Sequence, residues 1–481
     1  MLDTVIERAR VIDPETGLDD VLNIGIHRGR ITHLTASPLD ALTRIDATGL
    51  VACPGFIDLH SHAQDLTGLR LQALDGVTTA LELEAGAGPV SALYRQAADE
   101  GRPIHYGYSA SWAAARMAVL ADTPMPAHTV LKDLGNPAWQ RHATRAETVR
   151  ITQIVETQLA EGAIGIGMLL GYCAGAGTAE FHGMAELARA HSMTTFTHIR
   201  ELRAFNPAGP VDGVEELVRV ALDSGAHLHC CHVNSTARSH IDAVTEALGT
   251  ARDKGAVLTT EAYPYATAMT PVGAPFLAPD LLKDAGLDHH AVKDPVTGRP
   301  LPDTATLRRL RRDRPETLVL FEPLRETGAA QRDLLERALF GDHTAVASDA
   351  MPTNVTPSAW PPPEAAPTHP RGAGTFSRTL RLFAGTASRR TLSEVIARMT
   401  LVPADIAAAG APSLRTKGRI RIGCDADITI FDQQAVTERA SFATPLRAST
   451  GITHVLVAGR LVVCDGELDT AALPGRAIRN I

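Results

Sequence analysis

The middle of this 481-residue chain alternates short apolar runs with amphipathic helical stretches. Apolar strands that alternate with helices are typical of a parallel sheet covered by helices on both faces. Seven or eight such units over roughly 350 residues predict a (β/α)8 TIM-like barrel rather than an open sheet. Besides a strand ending near His62, the runs interpreted as strands are Thr78–Leu83, Ala163–Met168, Thr194–His198, Ala226–His232, Val257–Ala262, Leu318–Phe321 and Ala345–Ser348.

The two ends of the chain differ from this middle and are similar to each other. Both contain short β-rich runs separated by turn residues, a pattern that predicts antiparallel strands. We therefore expect one small β-sandwich domain built from residues 1–51 and 413–481, around a catalytic barrel at 52–412. Two irregular stretches lie within the barrel segment. Residues 277–315 are expected to cap the barrel mouth as an insertion, and the proline-rich stretch 352–370 is expected to form a lid loop.

Composition limits the classes of function. A formal net charge of −8 without a Lys/Arg block argues against nucleic-acid binding. The chain has no apolar stretch long enough to cross a bilayer and no recognisable signal peptide, so we expect a cytoplasmic protein without a membrane partner. The expected partner is a small-molecule substrate, and assembly into a homo-oligomer stays open. Six scattered cysteines do not suggest a disulfide framework.

Metal-binding side chains follow the ends of the predicted strands, where barrel enzymes place their active sites. His60 and His62 are two residues apart, so they project to the same side of one strand end. Together with the other strand ends they make a mixed set of nitrogen and oxygen donors suited to one or two Zn²⁺ ions, with a carboxylate left for acid–base work. The set is His60, His62, Glu84, His198, His232 and Asp349.

These residues carry a family resemblance that covers nearly the whole chain. His60-x-His62 after Pro-Gly-Phe-Ile-Asp, followed in order by His198, His232 and Ser348-Asp349, resembles the amidohydrolase superfamily. Among its branches the chain is most similar to the N-acyl-D-amino-acid deacylases. The segments supporting that branch are Gly162–Gly167, Thr197–Glu201, Ala262-Tyr263-Pro264-Tyr265, His369-Pro370-Arg371 with Gly374-Thr375-Phe376, and Gly418-Arg419-Ile420 with Ala426-Asp427.

The resemblance implies a role for each matching residue. His198 and His232 would bind the tighter zinc ion, and His60 and His62 would form the more loosely occupied half of the site. Asp349 would act as general base and acid. Arg371 and Tyr263 match positions that hold the substrate α-carboxylate, and a guanidinium suits that task because it can donate two parallel hydrogen bonds.

The chain departs from the family pattern at two places. Relatives usually carry a cysteine near the end of the second strand, where this chain has Glu82-Leu83-Glu84 and no cysteine. We favour Glu84 as the replacement ligand, with Glu82 as the alternative. Asn234 stands where relatives usually have a lysine that helps to bind the substrate carboxylate, so Asn234 is the third substrate-binding candidate. Arg203, Arg238 and His240 could contact the substrate side chain, but we interpret them as surface residues.

The expected function is metal-dependent hydrolysis of a linear amide, with an N-acyl-D-amino acid as substrate. Two alternatives stay open. The same machinery could hydrolyse a cyclic amide, such as an imide, lactam or hydantoin, or an atypical acylated amine, since Asn234 removes a cation. A barrel that binds metal without catalysis is the other alternative, although a structural zinc site does not require the additional carboxylate of Asp349.

Overall fold

Eight parallel strands form the barrel in the computed structural model, which describes residues 1–125, 130–353, 355, 360–385 and 389–480. Each strand pairs with the next one along the chain. Between the eighth and first strands, His62 N donates to Ala350 O at 2.8 Å and Ser348 N donates to Asp58 Oδ1 at 3.0 Å, so the sheet nearly closes. In chain order the strands are Phe56–Asp58, Val77–Ala87, His105–Ser111, Ile166–Leu169, Thr194–His198, His227–Cys230, Val257–Ala262 and Thr344–Val346.

Helices follow most barrel strands and pack apolar faces against the sheet. The helix Gly213–Ser224 is an example, because Asp212 caps its N-terminus by accepting from Val214 N and Gly225 ends it in a left-handed conformation (φ +65°). The α-helices are Leu66–Leu74, Val90–Glu100, Trp112–Leu120, Arg145–Ala160, Thr178–Ala190, Gly213–Ser224, Val233–Ala237, Ile241–Asp253, Pro279–Asp284, Thr304–Asp313, Gly328–Leu339, Arg371–Phe383, Leu392–Met399 and Leu401–Ala407. The predicted α/β barrel is therefore confirmed.

One predicted barrel strand is wrong and one barrel strand was missed. Leu318–Phe321 pairs antiparallel with Ala268–Pro271 and Val292–Lys293 in a separate three-stranded sheet, outside the barrel. A short buried strand of a small separate sheet has the same apolar composition as a barrel strand, which explains the misassignment. The third barrel strand, His105–Ser111, has the sequence His-Tyr-Gly-Tyr-Ser-Ala-Ser, which lacks a continuous apolar run.

Strands from both ends of the chain form one nine-stranded sheet, as the fold prediction required. Most pairs are antiparallel as predicted, but Leu2–Asp13 pairs parallel with Ala41–Asp46 and Val51–Pro54. Its apolar centre includes Ile6, Ile24, Ile428 and Leu456, all fully buried. The boundaries at 51, 52, 412 and 413 stay predictions. The strands are Leu2–Asp13, Leu18–His27, Arg30–Thr35, Ala41–Asp46, Val51–Pro54, Ile428–Phe431, Ile452–Val457, Arg460–Cys464 and Glu467–Leu468.

The structure describes one of the two predicted irregular stretches completely and the other in part, and their roles as cap and lid stay predictions. Residues 277–315 contain the helices Pro279–Asp284 and Thr304–Asp313 and the short strand Val292–Lys293. In the predicted lid, 352–370, residues 354 and 356–359 lie outside the described residues. Among the described residues, no helix is both long and apolar enough to cross a membrane.

A buried ion-pair network joins the terminal sheet to the barrel. The carboxylate of Asp427 accepts hydrogen bonds from Lys417 Nζ at 2.6 Å, Ala458 N at 2.7 Å and His105 Nε2 at 3.1 Å. Burial opposes ionisation of Asp427, but Lys417 and His105 outweigh it and hold the pKa of the carboxyl below its usual range. The stabilisation is therefore present above the unfolded pKa of about 3.9 and is lost as the pH falls further.

We expect Asp427→Asn to lower the free energy of unfolding by about 3–5 kcal/mol at pH 7, because the buried ammonium of Lys417 loses its main counter-charge. Urea denaturation of the wild type and the variant measures this difference. An exposed control is Asp280→Asn, for which we expect a change within about 0.5 kcal/mol. Equal free energies of unfolding for Asp427→Asn and the wild type at pH 7 would show that the network makes no net contribution to stability.

Candidate active site

The carboxyl ends of five barrel strands bring four histidines and two carboxylates together. His60 and His62 follow the first strand, Glu84 lies in the second, and His198 ends the fifth. His232 follows the sixth strand, and Asp349 follows the eighth. His232 and Asp349 have positive φ angles of 34° and 52°, a strained backbone that is common where side chains are held for function. All six predicted residues therefore converge at one end of the barrel.

The carboxylate of Glu84 lies between two pairs of histidines. Its Oε1 is 2.7 Å from His232 Nε2 and 2.9 Å from His198 Nδ1. Its Oε2 is 3.2 Å from His60 Nε2 and 3.6 Å from His62 Nε2. Glu84 is 3% exposed, so each oxygen serves one pair in a site shielded from bulk water. The structure thus puts Glu84, rather than Glu82, at the centre of the cluster.

Glu82 and Glu261 bind the outer nitrogens of the first histidine pair. His62 Nδ1 donates to Glu82 Oε2 at 2.7 Å, and His60 Nδ1 donates to Glu261 Oε1 at 2.5 Å. Carboxylates in this position fix the orientation and tautomer of metal-binding histidines. Glu261 was missed in the sequence, although its acidic side chain is unusual in the otherwise uncharged strand Val257–Ala262.

The inner nitrogens of the histidines suit a cation. The Nε2 atoms of His60 and His62 are 3.1 Å apart, and His232 Nε2 is 3.0 Å from His198 Nδ1. Because the Nδ1 protons of His60 and His62 are donated to carboxylates, the facing Nε2 atoms are both acceptors and also face Glu84. Such a group of hydrogen-bond acceptors is satisfied by a proton or a metal ion. Imidazole nitrogens and carboxylate oxygens are also ligand atoms that zinc prefers.

The same crowding of acceptors governs the protonation of the site. Burial lowers the pKa of His62, but the negative charge of Glu82 outweighs it and raises this pKa to about 10. The pKa of His60 is also raised, because Glu84, Asp349 and Glu261 together outweigh its burial. A cluster with such affinity for protons at neutral pH carries a negative potential that also attracts a divalent cation.

Asp349 and Arg371 form a buried ion pair beside the first histidine pair. Asp349 Oδ1 is 3.4 Å from His60 Nε2 and 3.6 Å from His62 Nε2, and Oδ2 is 2.9 Å from Arg371 Nη2. One carboxylate oxygen is therefore held by the guanidinium, while the other faces the histidines. Arg371 is 1% exposed and does not line the cleft in the described part of the chain. The structure places it behind Asp349, in contact with the acid–base candidate.

Tyr263 and Asn234 occupy different positions relative to the cleft. The ring of Tyr263 lines the cleft and covers the guanidinium of Arg371, with 4.9 Å between the Cζ atom and the ring centroid. Asn234 accepts from Tyr263 N at 3.3 Å and donates to Tyr265 O at 3.3 Å. Both ends of the Asn234 amide thus bind backbone, and among the described residues it holds the loop of Tyr263 rather than lining the cleft.

The rest of the cleft wall is largely apolar, with one ion pair. Apolar and aromatic side chains lining it include Leu131, Tyr172, Met269, Phe276, Phe321 and Met351. Glu201 and Arg238 also line it. The surface interpretation is correct for Arg203 and His240, which are exposed, but it is wrong for Arg238, which is 4% exposed. Burial of an arginine depends on partners distant in sequence, here Glu201 and Phe205, and no local pattern reveals them.

Comparisons with known proteins agree with this geometry. The Amidohydrolase family profile matches residues 43–310 and 338–463. An N-acyl-D-glutamate deacylase of Alcaligenes xylosoxydans xylosoxydans is 28% identical, over 100% of this chain and 97% of that protein. A D-aminoacylase of the same organism is 28% identical, over 91% of this chain and 89% of its own length.

A solved structure gives the same result for the fold. It is the N-acyl-D-glutamate deacylase of Bordetella bronchiseptica, complexed with zinc and a phosphonate inhibitor that mimics the tetrahedral intermediate of the reaction. The two chains superpose with a TM-score of 0.76 over 99% of each, at 23% sequence identity. The barrel and the terminal sheet are therefore an arrangement that this chain shares with a solved protein.

Proposed function

Because the chain belongs to the amidohydrolase family, we propose that it hydrolyses the amide bond of an N-acyl-D-amino acid, releasing a carboxylic acid and the D-amino acid. The names of the relatives support this substrate class, since they include deacylases of N-acyl-D-glutamate and of N-acyl-D-aspartate. A cytoplasmic location and assembly into homo-oligomers stay predictions.

The observation that carries the proposal is the position of Glu84 between the two histidine pairs, with Asp349 beside one of them. The donor set of four imidazoles and a shared carboxylate fits one or two zinc ions. His60, His62, His198, His232 and Glu84 would hold the metal. Bound there, a divalent ion supplies Lewis-acid chemistry that polarises an amide carbonyl and makes water more acidic.

Asp349 is suited to move the proton that amide hydrolysis requires. An amine leaves poorly unless its nitrogen is protonated, so a group that takes the proton from the attacking water can complete the reaction by delivering it to the leaving nitrogen. Asp349 lines the cleft, and its Oδ1 faces His60 and His62, while Oδ2 is fixed by Arg371. One carboxylate can therefore accept the proton from water and pass it to the nitrogen without changing its anchored orientation.

Arg371 is a positioning residue in this scheme. Its Nη2 holds Asp349 Oδ2, and the ring of Tyr263 covers the guanidinium, so the ion pair is shielded from solvent. From the family resemblance we instead expected Arg371 to bind the substrate α-carboxylate. If Arg371 has that second role, Tyr263 must move, because its ring separates the guanidinium from the cleft.

A substrate panel tests the proposed function. Purified protein loaded with zinc would be assayed with N-acetyl-D-amino acids, their L-enantiomers and cyclic amides, and free carboxylate release would be measured. We expect hydrolysis of the D series, loss of activity after removal of metal by a chelator, and recovery when zinc is restored. Activity that is confined to the cyclic amides, or that survives complete metal removal, contradicts the proposal.

A further inference from the structure

Glu201 and Arg238 stand on the cleft wall next to the second histidine pair. Glu201 comes three residues after His198, and Arg238 comes six residues after His232. Both follow barrel strands whose ends enter the site, and both line the same cleft as His198 and His232. A substrate with its amide beside the histidines can therefore reach this pair.

The guanidinium of Arg238 is held firmly in place. Its Cζ lies 4.1 Å from the ring centroid of Phe205 and 5.6 Å from that of Phe321. Nη2 donates to Glu201 Oε2 at 2.8 Å. The backbone of Arg238 has a φ of +50°, a conformation that non-glycine residues seldom adopt and that the surrounding packing must stabilise. These contacts fix the side chain before any ligand arrives.

Arg238 has more hydrogen-bond donors than the protein uses. A guanidinium carries five N–H donors, and Glu201 takes one through Nη2. Nε is buried and has no hydrogen-bond partner among the described residues. A buried, charged donor without an acceptor is energetically unfavourable, and a ligand carboxylate is the group that best satisfies it. Glu201 therefore balances the charge of the guanidinium but leaves it donors for a second carboxylate.

Alternative cations in this cleft are few. In the described part of the chain, Arg238 is the only lysine or arginine that lines the cleft holding Glu84, His198 and His232. Arg371 lies behind the cleft wall, where it is bound to Asp349 and covered by Tyr263, although its Nε and Nη1 are also buried without a partner among the described residues. Asn234 is neutral and bound to backbone. A substrate carboxylate therefore meets Arg238 as the cationic side chain that the described cleft wall itself presents.

We propose that Arg238 binds the free carboxylate of the substrate and that Glu201 holds the guanidinium in position for it. The inference rests on the proposed amidohydrolase function, because it takes this cleft as the substrate site. If Arg238 has this role, the substrate is an N-acyl amine that carries a free carboxylate. The carboxylate could be the α-carboxylate or one on the side chain, since both present the same two acceptor oxygens to the guanidinium.

Kinetics of an Arg238→Gln variant on three substrates test the proposal. N-acetyl-D-leucine has an α-carboxylate, its C-terminal amide has none, and N-acetyl-D-glutamate has two carboxylates. Because hydrogen bonds to charged groups contribute about 1.5–3 kcal/mol, we expect KM for the anionic substrates to rise roughly 10- to 150-fold. The expected change in kcat/KM for the neutral amide is several-fold smaller.

The pattern across substrates identifies the carboxylate. A rise in KM for both anionic substrates assigns Arg238 to the α-carboxylate, and a rise confined to N-acetyl-D-glutamate assigns it to the side chain. Both results support the proposal. An equal loss on the neutral amide overturns it, since Arg238 would then act only in the packing of the cleft wall.

Further variants separate binding from folding. Arg203→Gln, an exposed arginine of the same region, is the matched control and should match the wild type on all three substrates. Because Arg238→Gln leaves the partly buried Glu201 without its partner, the double variant Glu201→Gln/Arg238→Gln removes both charges and should show the same substrate pattern. Glu201→Gln alone retains an acceptor but removes the competing charge, so KM for the anionic substrates should fall.

Binding measurements distinguish failure of this inference from failure of the proposed function. Calorimetry of zinc-loaded Asp349→Asn protein, with and without Arg238→Gln, measures the affinity for N-acetyl-D-leucine and its amide in the absence of turnover. If no substrate is hydrolysed but the acid still binds more tightly through Arg238, the proposed function fails and the inference stands. If the acids are hydrolysed and bind equally to both proteins, the inference fails and the proposed function stands.

Discussion

Asp349→Asn is expected to lower kcat for N-acyl-D-amino acid hydrolysis by roughly 100- to 10,000-fold, the range for removal of a general acid–base group. Asparagine keeps the size of the side chain but cannot accept the proton of water or return one to the leaving nitrogen. The histidines and Glu84 are untouched by the change, so we expect the zinc content to stay within about twofold of the wild type.

Steady-state kinetics and elemental analysis of the same preparations check both parts of this expectation. Asp280→Asn, at an exposed position in the helix Pro279–Asp284, is the matched control and should retain full activity. Undiminished hydrolysis by Asp349→Asn would assign the proton transfer to another group. Loss of activity together with loss of zinc would instead make Asp349 a metal ligand.

Glu84→Gln is expected to have a comparable effect through a different step, the binding of metal. The amide keeps the shape of the side chain but removes the one carboxylate that, within the described part of the chain, contacts both histidine pairs. Burial opposes ionisation of Glu84, yet the charges of His60, His198 and His232 outweigh it and hold the pKa of Glu84 well below its usual range. Glu84 is thus ionised at neutral pH, and the variant removes a full negative charge from the site.

We expect Glu84→Gln to weaken zinc binding by at least about 100-fold and to lose activity in proportion, because the variant loses a direct ligand and its charge. Competition with a calibrated chelator measures the affinity. Glu82→Gln is the matched control on the same strand. Glu82 contacts the outer nitrogen of His62, so a smaller loss of about 10- to 100-fold is expected. Zinc affinity that is unchanged in Glu84→Gln but lost in Glu82→Gln would show that Glu82, and not Glu84, is the direct metal ligand.

Much of the fold could be predicted because a parallel barrel buries its strands on both faces and so produces continuous apolar runs. His198, His232 and Asp349 were recognisable because each directly follows such a run, and strand ends in a barrel meet at one edge. The exceptions have physical reasons. Leu318–Phe321 is as apolar as a barrel strand although it belongs to a separate three-stranded sheet, and the third barrel strand consists of His, Tyr, Gly, Ser and Ala.

The site was less predictable than the fold because its details depend on contacts between distant segments. Glu82 and Glu84 point to the same side of one strand, so only the positions of the histidines distinguish them. The partner of His60, Glu261, is 201 residues away. Arg238 is buried by Glu201 and two phenylalanines, and no sequence pattern near it indicates an interior position.

We propose that Glu84 joins the two histidine pairs into one metal site. Crystallography of the zinc-loaded protein, with anomalous difference maps at the zinc edge, tests this proposal most directly. We expect zinc at about 2.0–2.2 Å from an oxygen of Glu84 and bonded to His198 and His232, with any second ion on the other oxygen beside His60 and His62. Zinc bound to the histidines with Glu84 outside bonding distance would contradict it.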